Sequence, residues 1–319
     1  MASLLATAGG LLTPRLLRAQ AGFPSRPIRI IVPVSPGGGV DIFARLIAAK
    51  IGSTRHAEFV VENRTGGNST VGGLDVHRAA PDGYTVLFHA STHNVARLVM
   101  REVPYDPIAD FTPIALAGEA PLLHILANSR PQQSLEQIVA AAKAKPDDWS
   151  FATAQFGAPG HLAAVAFNQY EGLNLPIIVY RGTAPAANDV VGGHVPMMIE
   201  AMLSLLPLVQ AGSVRAIAVT GRKRSSLAPD IPTMTELGLP GLDFGAWWAM
   251  WGPSGMLGDL VATLNGWVND AVQALAAEGR LGKLGIEPAP QTPAAFAQFL
   301  LADRDRSARL LKAANFVPQ

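Results

Sequence analysis

The sequence predicts an α/β fold of two lobes, with mainly parallel sheets flanked by helices and a cleft between the lobes. Three observations predict it. Short runs rich in β-branched residues alternate with apolar patterns of helical period, which is how βαβ units and parallel sheets are written in a sequence. The alternation occurs as two series, separated near residues 121–127. A late strand and two long amphipathic helices follow, so the chain crosses between lobes twice. The expected division is 23–125 together with 243–319 for the first lobe and 126–242 for the second, after a separate segment 1–22.

The chain has 319 residues, 49% of them hydrophobic and 15% charged, enough for two cores. Its formal net charge is +1. No global field attracts nucleic acid, so any selectivity for anions is local. Cysteine is absent, which excludes a disulfide framework, a thiol nucleophile and a thiolate metal site. The histidines show no metal-ligand spacing, and neither a metal nor a cofactor is expected. Segment 1–22 is small and apolar up to Leu12, then passes through Arg15 and Arg18 to Ala19 and Ala21. It reads as an export signal with cleavage near Ala19 or Ala21, although no basic residue precedes Arg15.

The first unit carries the strongest signal. Pro27 to Val34 is an apolar strand, followed by Ser35-Pro36-Gly37-Gly38-Gly39-Val40-Asp41 and a helix from Asp41 to Ile51. A strand that turns through glycines into a helix start aims unpaired backbone N–H groups at one point. The helix dipole adds partial positive charge there, which suits a carboxylate. The dinucleotide fingerprint does not fit, because Ile42 stands where its last glycine belongs. Asp41 complements the dipole and fixes the glycine loop.

Strand Glu58–Glu62, helix Val71–Ala80 and strand Tyr84–Phe88 complete a parallel β-α-β-α-β series. Ser91 and Thr92 follow the carboxyl end of the last strand. Strands are then expected at Ile114–Ala117 and Pro121–Ala127, and a helix capped by Ser134 runs to Ala144. Strand Ser150–Ala154 opens into Gln155-Phe156-Gly157-Ala158-Pro159-Gly160-His161 and a helix to Tyr170, a second junction of the same physical kind. Strand Ile177–Tyr180 leads through Arg181-Gly182-Thr183 to a short helix at Pro185–Val191. Strand Val195–Ile199 ends at Glu200, with helix Ser204–Ala211 and strand Val214–Thr220 after it. Asp243–Trp251 is a long strand, and Leu257–Ala277 and Thr292–Ala314 are long helices. Open parallel sheets bind outside the carboxyl ends of their strands. That places Ser35, Gly37, Gly38, Gly39, Ser91, Thr92, Gln155, Phe156, Gly157, Ala158, His161 and Arg181 along one cleft.

Several segments in order go further. They are Pro27–Pro33 with Gly37-Gly38-Gly39-Val40-Asp41, Glu62-Asn63-Arg64, Pro81-Asp82-Gly83-Tyr84-Thr85, and Pro104-Tyr105-Asp106-Pro107 with Asp110-Phe111. Later come His161-Leu162-Ala163, Tyr180-Arg181-Gly182, Ala218-Val219-Thr220, Pro229-Asp230-Ile231-Pro232-Thr233 and Glu236-Leu237-Gly238-Leu239-Pro240. From residue 23 onward the chain resembles the Bug family, the substrate-binding proteins of tripartite tricarboxylate transporters. The resemblance implies a two-lobe, type II-like periplasmic-binding-protein fold. It implies a periplasmic protein that takes a small organic acid to membrane transporter subunits or to a sensor, and a monomer is expected. In the family, backbone amides of the first glycine loop (here Ser35 to Gly39) and of the loop before the His-Leu-Ala helix (here Gln155 to Ala158) hold one carboxylate. Ser91 and Thr92 line the same cleft.

Two departures bear on the ligand. Thr153-Ala154-Gln155-Phe156-Gly157 stands where members often have Ser-Ser-Gly-x-Gly, and Glu200 stands where many have Asp. An ionised Glu200 would repel a second carboxylate, with Arg181 pairing with it or binding the ligand's far end, and Phe156 would offer an apolar face. His161 at a helix start either donates to the ligand or packs. Trp247, Trp248 and Trp251 belong mainly to core or hinge, with the alternative that one of them lines the cleft. The rival reading is an α/β enzyme acting on a small carboxylate, and Gly67-Asn68-Ser69-Thr70-Val71 lacks the last glycine of a nucleophile elbow.

Overall fold

The computed structural model describes residues 22–319 apart from His56 and Arg222. Segment 1–22, expected as an export signal, lies outside the described residues except for its last position. The elements are β1 (Ile28–Val32), α1 (Gly39–Arg55), β2 (Phe59–Asn63), α2 (Thr70–His77), β3 (Thr85–Ala90), α3 (Ala96–Val99), β4 (Phe111–Ala127), α4 (Leu135–Ala144) and β5 (Phe151–Thr153). Then come α5 (Pro159–Glu171), β6 (Ile177–Val179), α6 (Thr183–Val191), β7 (Met197–Ala201), α7 (Met202–Gln210), β8 (Val214–Val219), β9 (Gly245–Pro253), α8 (Gly258–Ala277), β10 (Glu287–Pro288) and α9 (Pro293–Ala313).

The strands follow the order β2-β1-β3-β9-β4-β7-β5-β6, with β8 and β10 both pairing β4. The parallel expectation holds inside the βα units: β1 pairs β2 and β3 in parallel, and β5 pairs β6 and β7 in parallel. The strands that join the two halves, β4 and β9, run antiparallel to each other and to β7 and β3 respectively. β1 reads as an apolar run broken only by Arg29, which pairs with Glu62, because Ile28, Ile30, Ile31 and Val32 are all wholly buried with helices covering both faces.

Two expected strands, Ile114–Ala117 and Pro121–Ala127, are one strand of 17 residues. Gly118 and Pro121 read as breaks in the sequence. In the structure the register with β9 shifts between Pro113 and Ala115 and again between Leu116 and Gly118, so the strand bends through irregularities. A Cβ on Gly118 would come within 2.8 Å of the Ile286 side chain, which explains the glycine. β4 pairs β9 as far as Pro121, opposite Gly245, and from Leu122 onward it pairs β7 and β8. Thr220 locks this crossing. Its Oγ1 accepts from Leu122 N–H at 2.7 Å and donates to the Phe244 carbonyl. The chain therefore passes between lobes at two neighbouring points, Pro121–Leu122 and the stretch from Thr220 to Gly245.

α8 and α9 pack on β4, and α9 anchors an aromatic cluster in which Trp247, Trp251, Phe296 and Phe299 meet ring against ring. Burial of rings of this size supplies much of the core energy of that half.

Candidate functional site

The first glycine loop is held by Asp41. Its carboxylate accepts from Gly37 N–H at 3.0 Å, Arg45 Nε at 3.0 Å and Asn63 Nδ2 at 3.0 Å. Burial pushes this carboxyl up, but the hydrogen bonds from Arg45, Gly37 and Asn63 outweigh it and leave Asp41 below its usual range. Gly37, at φ +83, takes the left-handed turn that glycine permits. Its N–H is committed to Asp41, so of the three glycines only Gly38 and Gly39 line the cavity beyond.

That cavity lies between the lobes and is narrow, with a volume of about 30 Å³ in this closed arrangement. One wall is Val34, Gly38, Gly39 and Val40 from the β1–α1 junction, with His89, Ala90 and Thr92 from β3 and its following loop. The opposite wall is Ala154, Gln155, Ala158 and Pro159 from the β5–α5 junction, Thr183 at the start of α6, and Glu200, Ala201 and Ser204 around the β7–α7 junction. Ala246 and Trp248 of β9 close the back. Four helices (α1, α5, α6 and α7) thus begin at one cavity. Their unpaired N–H groups and dipoles make it favourable to negative charge, and the lining residues include neither Lys nor Arg.

The two walls are bonded to each other. Asn68 Nδ2 donates to the Phe156 carbonyl at 3.0 Å, and Phe156 N–H donates to Asn68 Oδ1 at 2.9 Å. Gln155 Nε2 donates to Ser69 Oγ. Ser35 donates from N–H at 3.3 Å and from Oγ at 2.8 Å to the Arg181 carbonyl. Gly182 (φ +139) lets Ser35 approach, since a Cβ there would stand 3.2 Å from Ser35 N. These bonds hold the lobes in a closed arrangement. Asn68 and Ser69 both have positive φ, at 51° and 75°. Strain of this kind in residues without glycine's freedom marks a loop held in place for a purpose, and here the purpose is contact across the cleft.

Of the residues expected from the sequence, Gly38, Gly39, Thr92, Gln155, Ala158 and Glu200 line the cavity. Ser35 and Arg181 meet at its rim, through the Arg181 carbonyl. The Arg181 side chain is exposed, and it is not the partner of Glu200. Ser91 is buried beside Thr92 and does not line the cavity. Gly157 packs toward Val95 and Val99, where a Cβ would meet Val95 at 2.7 Å. The Phe156 ring turns away from the cavity to pack with Val99, Leu162 and Leu311. His161 is a packing residue: Nδ1 accepts from Gly157 N–H at 3.3 Å, and its ring meets Phe156 and Phe316 edge to face. Burial pushes His161 down to about 4, so it is neutral.

Glu200 differs from expectation in its charge. It is buried, and burial pushes its carboxyl up to about 7, against the pull of the Ala201 N–H that Oε1 accepts at 2.9 Å. Near neutral pH it is protonated part of the time. Asn68, Ser69, His89, Thr183 and Ser204 were not singled out for this site, and of the three tryptophans weighed for the cleft Trp248 lines it. The only sequence signals were the turn composition of Gly66-Gly67-Asn68 and the position of Thr183 directly after Arg181-Gly182.

A closed pair of βα lobes around a walled cavity, with a hinge of two crossing strands, is the construction of a two-lobe binding protein. Residues 43–316 match the model of the tripartite tricarboxylate transporter family receptor. The chain belongs to this family, which includes the Bug proteins. The periplasmic binding protein BugD is 32% identical with a TM-score of 0.88, over 93% of this chain and 100% of that one. R. palustris Rpa4515, solved with adipate, is 29% identical with a TM-score of 0.90, over 93% and 100%. MatC from Rhodopseudomonas palustris, solved with bound malate, is 30% identical with a TM-score of 0.86, over 91% and 100%.

Proposed function

We propose that this protein is a periplasmic receptor that captures a small organic carboxylate between its lobes and delivers it to membrane subunits of a tripartite transporter, working as a monomer. The observation that carries the reading is the convergence of four helix starts on one interlobe cavity whose lining includes neither Lys nor Arg. A carboxylate there is held by backbone N–H groups, and the bare edges of Gly38 and Gly39 let it come close. Gln155, Ala158 and Thr183 face it from the other lobe, and Thr92 and Trp248 bound the space.

The relatives solved with adipate and malate support a small acid as the class of ligand. Among the described residues no helix is long and apolar enough to cross a membrane. We take 23–125 with 243–319 and 126–242 as the moving bodies. The change of β4's partners at Pro121–Leu122 supports a hinge there, so that residues 122–125 move with the second body.

An enzyme is the rival reading, because Ser204, His89 and Glu200 all line the cavity. Catalysis by such a set requires nucleophile, base and orienting carboxylate to be linked by hydrogen bonds. Ser204 Oγ and both nitrogens of His89 have no hydrogen-bond partner among the described residues, and burial pushes His89 down to about 3. This arrangement favours binding over turnover.

The test is mass spectrometry of small molecules released from purified, denatured protein, with calorimetry of the acids found. We expect an organic acid that binds and is recovered unchanged. An acid converted to product during incubation overturns the reading, as does protein that releases no acid and gives no heat with short mono-, di- or hydroxycarboxylates.

A further inference from the structure

Glu200 is an unusual group to find where four helices favour an anion. Oε1 accepts from Ala201 N–H, whereas Oε2 is buried without a hydrogen-bond partner among the described residues. Ser204 Oγ, in the first turn of α7, is likewise unpartnered, as are both ring nitrogens of His89 across the cavity. A buried polar atom without a partner is costly, so these atoms are complemented when the site is filled.

Among the described residues, the groups around Glu200 give it no counter-charge. His124 on β4, His161 on α5 and His89 on β3 are all held neutral by burial. Asp41 on α1 turns to Arg45 and Asn63. A Cβ on Gly160 would stand 3.4 Å from Glu200 Oε2, so the first turn of α5 lies beside the carboxylate. A ligand whose own carboxylate rests on the helix starts therefore presents its substituents to Glu200 within one short molecule. A second carboxylate at that point would face a like charge with no cation to offset it. A hydrogen-bond donor would meet a waiting acceptor.

Resting on the receptor reading above, we infer that Glu200 determines specificity by accepting a hydrogen bond from an ammonium or hydroxyl group on the ligand. The site then selects amino or hydroxy acids over unsubstituted acids of the same carbon skeleton. An unsubstituted diacid that places its second carboxyl against Glu200 carries a proton in with it, shared between the two carboxyl groups.

The experiment is calorimetry on the whole protein with two matched series: propionate, lactate and alanine, and succinate, malate and aspartate. At about pH 8 we expect a donor-bearing acid in at least one series to bind about tenfold or more tighter than its unsubstituted parent. Glu200→Gln should shrink that preference to about threefold or less while still binding. Titration of wild-type protein in two buffers of different ionisation enthalpy gives a readout independent of the variant. Succinate should bind with uptake of about one proton, and the preferred donor-bearing acid with none. Unsubstituted acids that bind as tightly without proton uptake overturn the inference, as does a Gln variant that keeps the full preference. Failure of every acid in both series to bind overturns the receptor reading itself.

Discussion

The two strand–glycine loop–helix junctions look alike in the sequence and are built against different neighbours. At β1–α1 the glycines face the other lobe. A Cβ on Gly38 would meet Thr183 at 3.6 Å, and one on Gly39 would meet Ser204 Oγ at 3.0 Å and Leu203 at 3.2 Å. At β5–α5 the critical glycine faces its own lobe: a Cβ on Gly160 would fall 1.8 Å from the Ile199 carbonyl oxygen. The first loop is bare so that the lobes can close. The second contains a glycine so that its lobe can fold, and its neighbours Gln155 and Phe156 carry the cross-cleft bonds. Similar sequence signals thus serve assembly in one place and motion in the other.

The comparison predicts a large stability effect on one side. Gly160→Ala should cost more than about 3 kcal/mol in denaturant unfolding, because the clash is with backbone inside one lobe. A variant as stable as wild type would show that α5 can shift freely away from β7, and the contrast would fail.

Glu200, beside Gly160, sharpens the same side of the comparison. Its native carboxyl sits at about 7, raised from an ordinary 4.5, so the folded state holds the proton more tightly than the unfolded state. That contribution to stability is complete below the ordinary value and is lost as pH rises through about 7. The loss between those limits should reach about 3 kcal/mol, and Glu200→Gln should remove that slope. Unfolding curves of both proteins across this range check it; parallel pH profiles would mean Glu200 is not desolvated as the structure shows.

On the other side, Gly39→Val should leave ligand-free melting nearly unchanged and weaken ligand binding by about thirtyfold or more, since its contacts exist only when the lobes meet. Equal effects on melting and affinity would erase the difference between the junctions. A smaller effect is expected at Asn68→Gly, which keeps the left-handed backbone but removes both bonds to Phe156. At about 0.7 kcal/mol for each bond, affinity should fall about tenfold, read by calorimetry. No change would mean those bonds do not favour closure.

Local physics made much of this legible. The buried apolar residues of β1, the capping Ser134 of α4 and the apolar faces of α8 and α9 are each signalled within a few residues of chain. So were Gly38 and Gly39, because a glycine run before a helix has few other uses. β4 was legible only as fragments: Gly118 and Pro121 are normally breakers, and only pairing with distant β9, β7 and β8 carries the strand through them. Asn68 and Ser69 gain their roles from residues 88 and 86 positions away, a relation that no local pattern encodes. Phe156 was expected to face the ligand. Its backbone N–H and C=O are both held by Asn68, which orients the loop with the ring outward. Gln155 was expected along the cleft and also as a departure from the family pattern, and its bond to Ser69 explains the departure.

The central claim is that the lobes move as bodies and close on a carboxylate. The chain lacks cysteine, so two introduced thiols can be spin-labelled without background. Arg78, exposed after α2, and Asn188, exposed on α6, report on opposite lobes. The distance between labels in the Arg78→Cys, Asn188→Cys protein should shorten and narrow to a single population when saturating ligand is added. A distribution that stays the same with and without ligand would contradict the account.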